Sequence, residues 1–181
     1  MTAAEAMPVP EESKKQPLAV RVGAELVGSF FICFAIYTIC TLDAIVSNLN
    51  MAFIALMTGA AYAVMTLVFG KISGGQFNPP VSIAAMLTGK THALDGILYI
   101  IAQLLGGIGA GAALRFLLPT SEQVPFKSWL SLAVNGFDKA SISYSTLSSL
   151  GLSFGITLAV VVELIAGLII VATAMRSMGE H

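Results

Sequence analysis

The sequence predicts an all-α integral membrane protein with about four transmembrane helices and one re-entrant half-helix. Three observations carry this. The 181-residue chain is 56% hydrophobic and 10% charged, where a soluble domain carries roughly 25% charged residues. Its apolar residues gather in runs of spanning length, which gives a mean hydropathy of +0.87. Finally, the apolar piece that follows Asn78 extends only to about Leu87 before polar residues return. That piece is too short for ~30 Å of hydrocarbon, which needs about 20 helical residues, and too apolar for water.

In chain order, residues 1–17 hold Pro8, Pro10, Glu11, Glu12, Lys14 and Lys15 and read as a disordered tail; residues 18–181 form the membrane domain. The first run, Leu18 to Cys40, is longer than a signal-peptide core and lacks its flanks, so it reads as a retained span. Cys33 and Cys40 both lie in it, seven residues apart, and read as small buried hydrophobes rather than a disulfide or metal pair. Thr41 to Asn50 reads as a short polar loop, and Met51 to Phe69 as the second span. The third run, Leu94 to Leu118, carries Gly106, Ala110 and other small residues spaced for close helix approach. Pro119 to Thr146 is a long connection in which the stretch from Trp129 to Val134 suits the membrane interface. The fourth run is Leu147 to Ala174.

Lys and Arg set the orientation. With the N-terminus inside, Lys14, Lys15, Arg21, Lys71, Lys90 and Arg176 share the inner side, against Arg115, Lys127 and Lys139 outside. The positive-inside rule then places the N-terminus in the cytoplasm, and the half-helix enters from that face. A net charge of −1 gives no basic field for nucleic acid.

The stretch from Gly70 to Leu87 holds the residues expected to act. Gly74 and Gly75 admit backbone conformations that other residues resist. The carbonyls of Gly74, Gly75 and Gln76 are then free to point into a pore, where they would replace the hydrogen-bond partners of water. Asn78 is expected to cap the half-helix and to offer side-chain donors to a passing solute. The positive end of the half-helix opposes cations. Because a residue before proline avoids helical angles, Pro79 is expected to stay extended and the half-helix to begin at Pro80.

Intramembrane charges are costly and need partners. Glu25 reads either as a helix-end residue near the interface or as a carboxylate accepting hydrogen bonds from the irregular loop. Glu163, in the middle of the fourth run, is a second such acceptor, and Gln103 a third support or a residue satisfied against a neighbouring helix. The segments Glu25-Leu26-Val27-Gly28 and Glu163-Leu164-Ile165-Ala166-Gly167 hint at a repeat of three spans plus the half-helix, whose copies would be inverted. No catalytic arrangement, metal-spaced cluster or phosphate loop is visible; His92 falls in a loop and His181 at the terminus.

These residues resemble the major intrinsic protein family, the aquaporins and glycerol facilitators. The stretch Gly70-x-Ile72-Ser73-Gly74-Gly75-x-x-Asn78-Pro79 resembles the family's first Asn-Pro-Ala loop. The run Tyr99 to Gly106, with Gln103 inside it, is similar to the third helix. Glu25 and Glu163 fall at the family's two buried glutamates. The similarity covers roughly residues 20–176 and implies an aquaporin-like bundle in the cell membrane, homotetramers, and passive flow of water or small neutral solutes such as glycerol. It implies no enzyme activity and no cofactor. Gly74, Gly75, Gln76, Asn78, Pro79 and Pro80 match the pore loop. Thr58 falls where the second helix contributes to the narrowest filter, and its small polar side chain there implies a wider constriction, or else ordinary helix packing. Pro80 replaces the motif alanine, and Lys71 and Gln76 stand where histidines are frequent. No second Asn-Pro-Ala loop, filter arginine, or fifth or sixth helix follows, so one copy is expected to hold half a pore. A non-conducting subunit and a broken-helix secondary transporter are the competing readings.

Overall fold

The computed structural model describes residues 15–46, 51–129, 133, 137, 139, 141, 144–153 and 155–178. The tail predicted over residues 1–17 therefore falls mostly outside the described residues, as does most of the stretch from Trp129 to Val134. Every regular element among the described residues is a helix: α1 (Leu18–Val46), α2 (Met51–Ser73), α3 (Pro79–Leu87), α4 (Ala93–Leu117), α5 (Phe126–Trp129), α6 (Tyr144–Ser149) and α7 (Ile156–Ser177). Four of them, α1, α2, α4 and α7, are long and apolar enough to cross a membrane. At ~1.5 Å per residue the nine residues of α3 extend only about 14 Å, less than half the hydrocarbon thickness.

Two boundaries differ from expectation by more than four residues. α1 runs on through Thr41 to Val46 where a polar loop is expected, because Thr41-Leu42-Asp43-Ala44-Ile45-Val46 contains no proline or glycine to stop a helix already under way. The fourth span begins at Ile156 rather than Leu147. Gly151, read in the sequence as part of that span, adopts φ +71° and ends α6. The Gly151 N–H donates to the Ser148 carbonyl at 3.1 Å and the Leu152 N–H to the Leu147 carbonyl at 2.9 Å. This paired pattern closes a helix on a left-handed glycine.

The core lies between α1 and α4. Ala102, Gly106, Ala110 and Leu114 recur every fourth residue and are all buried. A Cβ built on Gly106 would sit 2.5 Å from the Leu26 carbonyl oxygen and 2.9 Å from the Phe30 nitrogen, both backbone atoms. Only glycine lets the two backbones approach this closely, which is how helices gain dispersion contacts where lipid removes the hydrophobic drive. At one end, Arg21 Nη1 pairs with Asp95 in the first turn of α4 and donates to the Tyr99 hydroxyl at 3.2 Å. Asp95 there also faces the positive end of the helix. α3 packs on α4 and α7. Among the described residues α7 buries none and α2 only Ser73.

Candidate functional site: a braced loop at a half-helix

The loop between α2 and α3 is held from behind by one side chain. Glu25 on α1 is fully buried, and its carboxylate accepts four hydrogen bonds. Oε1 takes the Ser73 hydroxyl at 2.6 Å and the Gln76 N–H at 3.0 Å. Oε2 takes the Phe77 N–H at 2.7 Å and the Gln103 Nε2 at 2.8 Å. Burying a carboxylate is costly unless its acceptor capacity is used, and here each oxygen accepts two hydrogen bonds. Gln103 also donates to the Ser82 hydroxyl at 2.9 Å, tying α3 to the same centre. The Gly75 N–H donates to the Ser73 hydroxyl oxygen at 3.1 Å.

Three successive N–H groups, those of Gly75, Gln76 and Phe77, thus turn toward Ser73 and Glu25. No peptide bond among the described residues is cis. In a trans peptide the carbonyl of one residue points opposite to the N–H of the next. The carbonyls of Gly74, Gly75 and Gln76 therefore point away from Glu25, and no donor among the described residues reaches them. The chain makes this shape with φ +96° at Gly74, +64° at Gly75 and +47° at Phe77. A left-handed phenylalanine costs on the order of 1–3 kcal/mol. Its N–H is bonded to Glu25 and its ring is buried, with Phe69 edge-on at 6.5 Å between centroids.

α3 begins at Pro79, not at Pro80 as expected; Asn78 is the N-cap with φ −152° and ψ 124°. The first helical bond runs from the Ser82 N–H to the Asn78 carbonyl at 3.1 Å. The pre-proline preference disfavours helical angles without forbidding them, and here burial of Val81, Ser82 and Ala85 outweighs it. The capping expected of the Asn78 side chain does not occur. A cap side chain bonds the N–H of the second or third helical residue; the second is Pro80, which has none, so only that of Val81 is left to cap. Instead Asn78 Nδ2 lies 3.5 Å from the Tyr62 hydroxyl, while Asn78 Oδ1 is buried without a partner.

The structure thus brings Glu25, Gln103, Gly74, Gly75, Gln76 and Asn78 together. Pro79 and Pro80 form the first turn of α3, with Pro80 exposed. Thr58 is half-buried on α2. Glu163 is exposed on α7, unlike Glu25, since α7 buries nothing among the described residues. Gln76 Nε2 donates to the Thr91 hydroxyl at 2.7 Å. Beside the loop is a cavity of about 200 Å³ whose lining includes Lys15, Arg21, Lys71, Gln76, Lys90 and Asp95. Lys90 Nζ also bonds the Met175 carbonyl at the end of α7. Phe77, Ser82 and Tyr62 went unmarked in the sequence reading, and Ser73 entered it only as part of the loop motif. Tyr62 has no contrast with the apolar run around it, and Phe77, an apolar residue inside the polar loop, carries no sign of its left-handed backbone; Ser73 and Ser82 could have been found as the hydroxyls within the stretch from Gly70 to Leu87.

The major intrinsic protein family model matches residues 12–180. Aquaporin Z of Photorhabdus laumondii is 35% identical over 132 residues, which cover 71% of this chain and 56% of that protein. The glycerol uptake facilitator protein-like 6 of Lactiplantibacillus plantarum is 38% identical over 92 residues, 51% of this chain and 41% of that one. Aquaporin-B of Dictyostelium discoideum is 30% identical over 152 residues, 81% and 51% of the two chains. The chain spans about half the length of the curated relatives it matches. With nearly the whole sequence inside the family match, and a glycine-rich loop braced on a buried glutamate ahead of a half-helix, the chain belongs to the major intrinsic protein family.

Proposed function

We propose that the protein is a membrane channel for passive passage of water and small neutral solutes such as glycerol, with no chemical step. The observation that carries this is the outward set of the Gly74, Gly75 and Gln76 carbonyls, which their N–H partners on the opposite side enforce. Unpaired carbonyls at membrane depth are tolerated only where they line a watery path. A file of such acceptors replaces the hydrogen-bond partners that a molecule leaves behind in bulk water. Asn78 adds donors at the end of the file, and the positive end of α3 disfavours cations. The relatives named aquaporin and glycerol uptake facilitator support the same solutes.

In this reading Thr58, Gly74, Gly75, Gln76, Asn78, Pro79 and Pro80 line the path, and Glu25 and Gln103 hold its wall. Glu163, in the same local sequence as Glu25, is proposed as a further loop-supporting carboxylate on α7. The cavity that gathers Lys15, Arg21, Lys71 and Lys90 supports a cytoplasmic mouth at this end, with the N-terminus on the cytoplasmic side of the cell membrane by the positive-inside rule. The working assembly is a homotetramer.

Reconstitution into proteoliposomes tests the reading. Under an impermeant osmolyte the vesicles shrink faster than protein-free ones, and under a glycerol gradient they reswell faster. Flow that requires an ion gradient would instead indicate a broken-helix transporter, and no added flow a non-conducting subunit.

A further inference from the structure

Nothing within α3 holds the Asn78 side chain. Prolines occupy the first two helical positions and no side-chain cap bond forms. Among the described residues Oδ1 is buried without a hydrogen-bond partner, and Nδ2 reaches the Tyr62 hydroxyl at 3.5 Å. That distance is at the long limit for a hydrogen bond, so the contact is one a solute oxygen can replace. Tyr62 lies four residues after Thr58 on α2. Residues four apart share a helix face, about 6 Å apart along the axis. Both side chains are half-buried, but Thr58 is small, whereas Tyr62 carries a phenol ring to within reach of Asn78.

We propose that Tyr62 is the size- and polarity-selecting side chain of this half of the channel, placing the constriction at Asn78, one helical turn deeper than Thr58. This rests on the channel reading. The ring narrows the path where Asn78 meets the solute, and the hydroxyl holds the Asn78 amide until a solute oxygen displaces it. Water, with one oxygen and a small cross-section, makes that exchange in the space beside the ring. A three-carbon polyol must pass the same ring with its carbon chain. A small Thr58 alone would admit glycerol readily; Tyr62 makes the channel prefer water.

The test measures water and glycerol permeability of the same reconstituted protein by stopped-flow light scattering. Tyr62→Ala should raise the glycerol-to-water ratio roughly tenfold or more, the scale on which pocket shape discriminates between small solutes. Thr58→Ala should shift the ratio by much less. Tyr62→Phe, which keeps the ring and loses the hydroxyl, should keep glycerol rejection while changing the relative flux of urea, whose carbonyl competes for Asn78. An unchanged ratio in a Tyr62→Ala protein that still conducts water overturns the proposal, as does a larger shift from Thr58→Ala. Should Tyr62→Ala fail to enter vesicles, Tyr62→Leu against Tyr62→Phe decides, since equal ratios in the two would overturn it. Wild-type protein that conducts neither solute refutes the channel reading itself, and the assignment of Tyr62 falls with it.

Discussion

Replacing Glu25 by glutamine tests the bracing of the loop with almost no change in shape. The carboxylate has two donors on each oxygen: the Ser73 hydroxyl and Gln76 N–H on one, the Phe77 N–H and Gln103 amide on the other. A carboxamide keeps one acceptor oxygen and puts an NH₂ in place of the other. If the NH₂ faces Ser73 and Gln76, the hydroxyl can turn to accept, but the Gln76 N–H is left against a donor. If it faces Phe77 and Gln103, Gln103 can present its Oε1, which now lacks a partner, but the Phe77 N–H is stranded. Either orientation orphans one backbone N–H, at about 1–3 kcal/mol, and the remaining bonds lose their charge assistance. The sum is roughly 2–4 kcal/mol of local stability. Hydrogen exchange read by mass spectrometry on a peptide covering residues 73–78 should therefore speed up roughly 30- to 1,000-fold, at 1.4 kcal/mol per decade. Peptides from the C-terminal half of α4 should exchange as before. Glu25→Ala, which strands both N–H groups, should be worse still. Exchange within about twofold of wild type, or an alanine variant no worse than glutamine, would refute the reasoning.

Gln103→Leu removes the bond to Glu25 and the bond to Ser82 but also a buried, unpartnered Oε1. The net loss should be about 1–2 kcal/mol, less than for Glu25→Gln, in an equilibrium unfolding titration of the detergent-solubilised protein; a larger loss would mean that Gln103, not Glu25, is the centre of the network. Gly106→Ala drives a Cβ against the Leu26 carbonyl, and overpacking at a backbone contact should cost about 1–3 kcal/mol, visible as a lower melting temperature. An unchanged melting temperature would show that α1 and α4 separate freely. Asn78→Asp puts a negative charge at the half-helix mouth and should weaken exclusion of cations. Ion conductance in a planar bilayer equal to that of wild type would contradict this.

What the sequence reveals here depends on contrast. Glu25 and Gln103 stand out because a charge or amide within an apolar run demands a partner, and the paired glycines mark the loop for the same kind of reason. Phe77 is flanked by Gln76 and Asn78, and Tyr62 by Ala61 and Ala63, but residue type writes neither the left-handed backbone at one nor the contact of the other with Asn78. Gly151 fell inside the fourth apolar run because φ is not written in residue type. The start of α3 at Pro79 was missed because a local preference was set against burial that only the fold supplies. The exposure of Glu163 belongs to α7, whose described residues lie on no other element's core.

The two prolines that open α3 have a consequence for how tightly this place can hold anything. A helix ordinarily begins with four N–H groups lacking internal partners. Here the first internal bond comes from Ser82, and two of the four positions before it, 79 and 80, carry no hydrogen on nitrogen. The peptide dipoles that make the start of a helix positive are still aligned. The end therefore repels a cation at close to full strength while offering an oxygen only half the usual grip. Exclusion and adhesion, which most helix ends deliver together, are separated, and a molecule that gets this far meets a barrier to charge and little that would detain it.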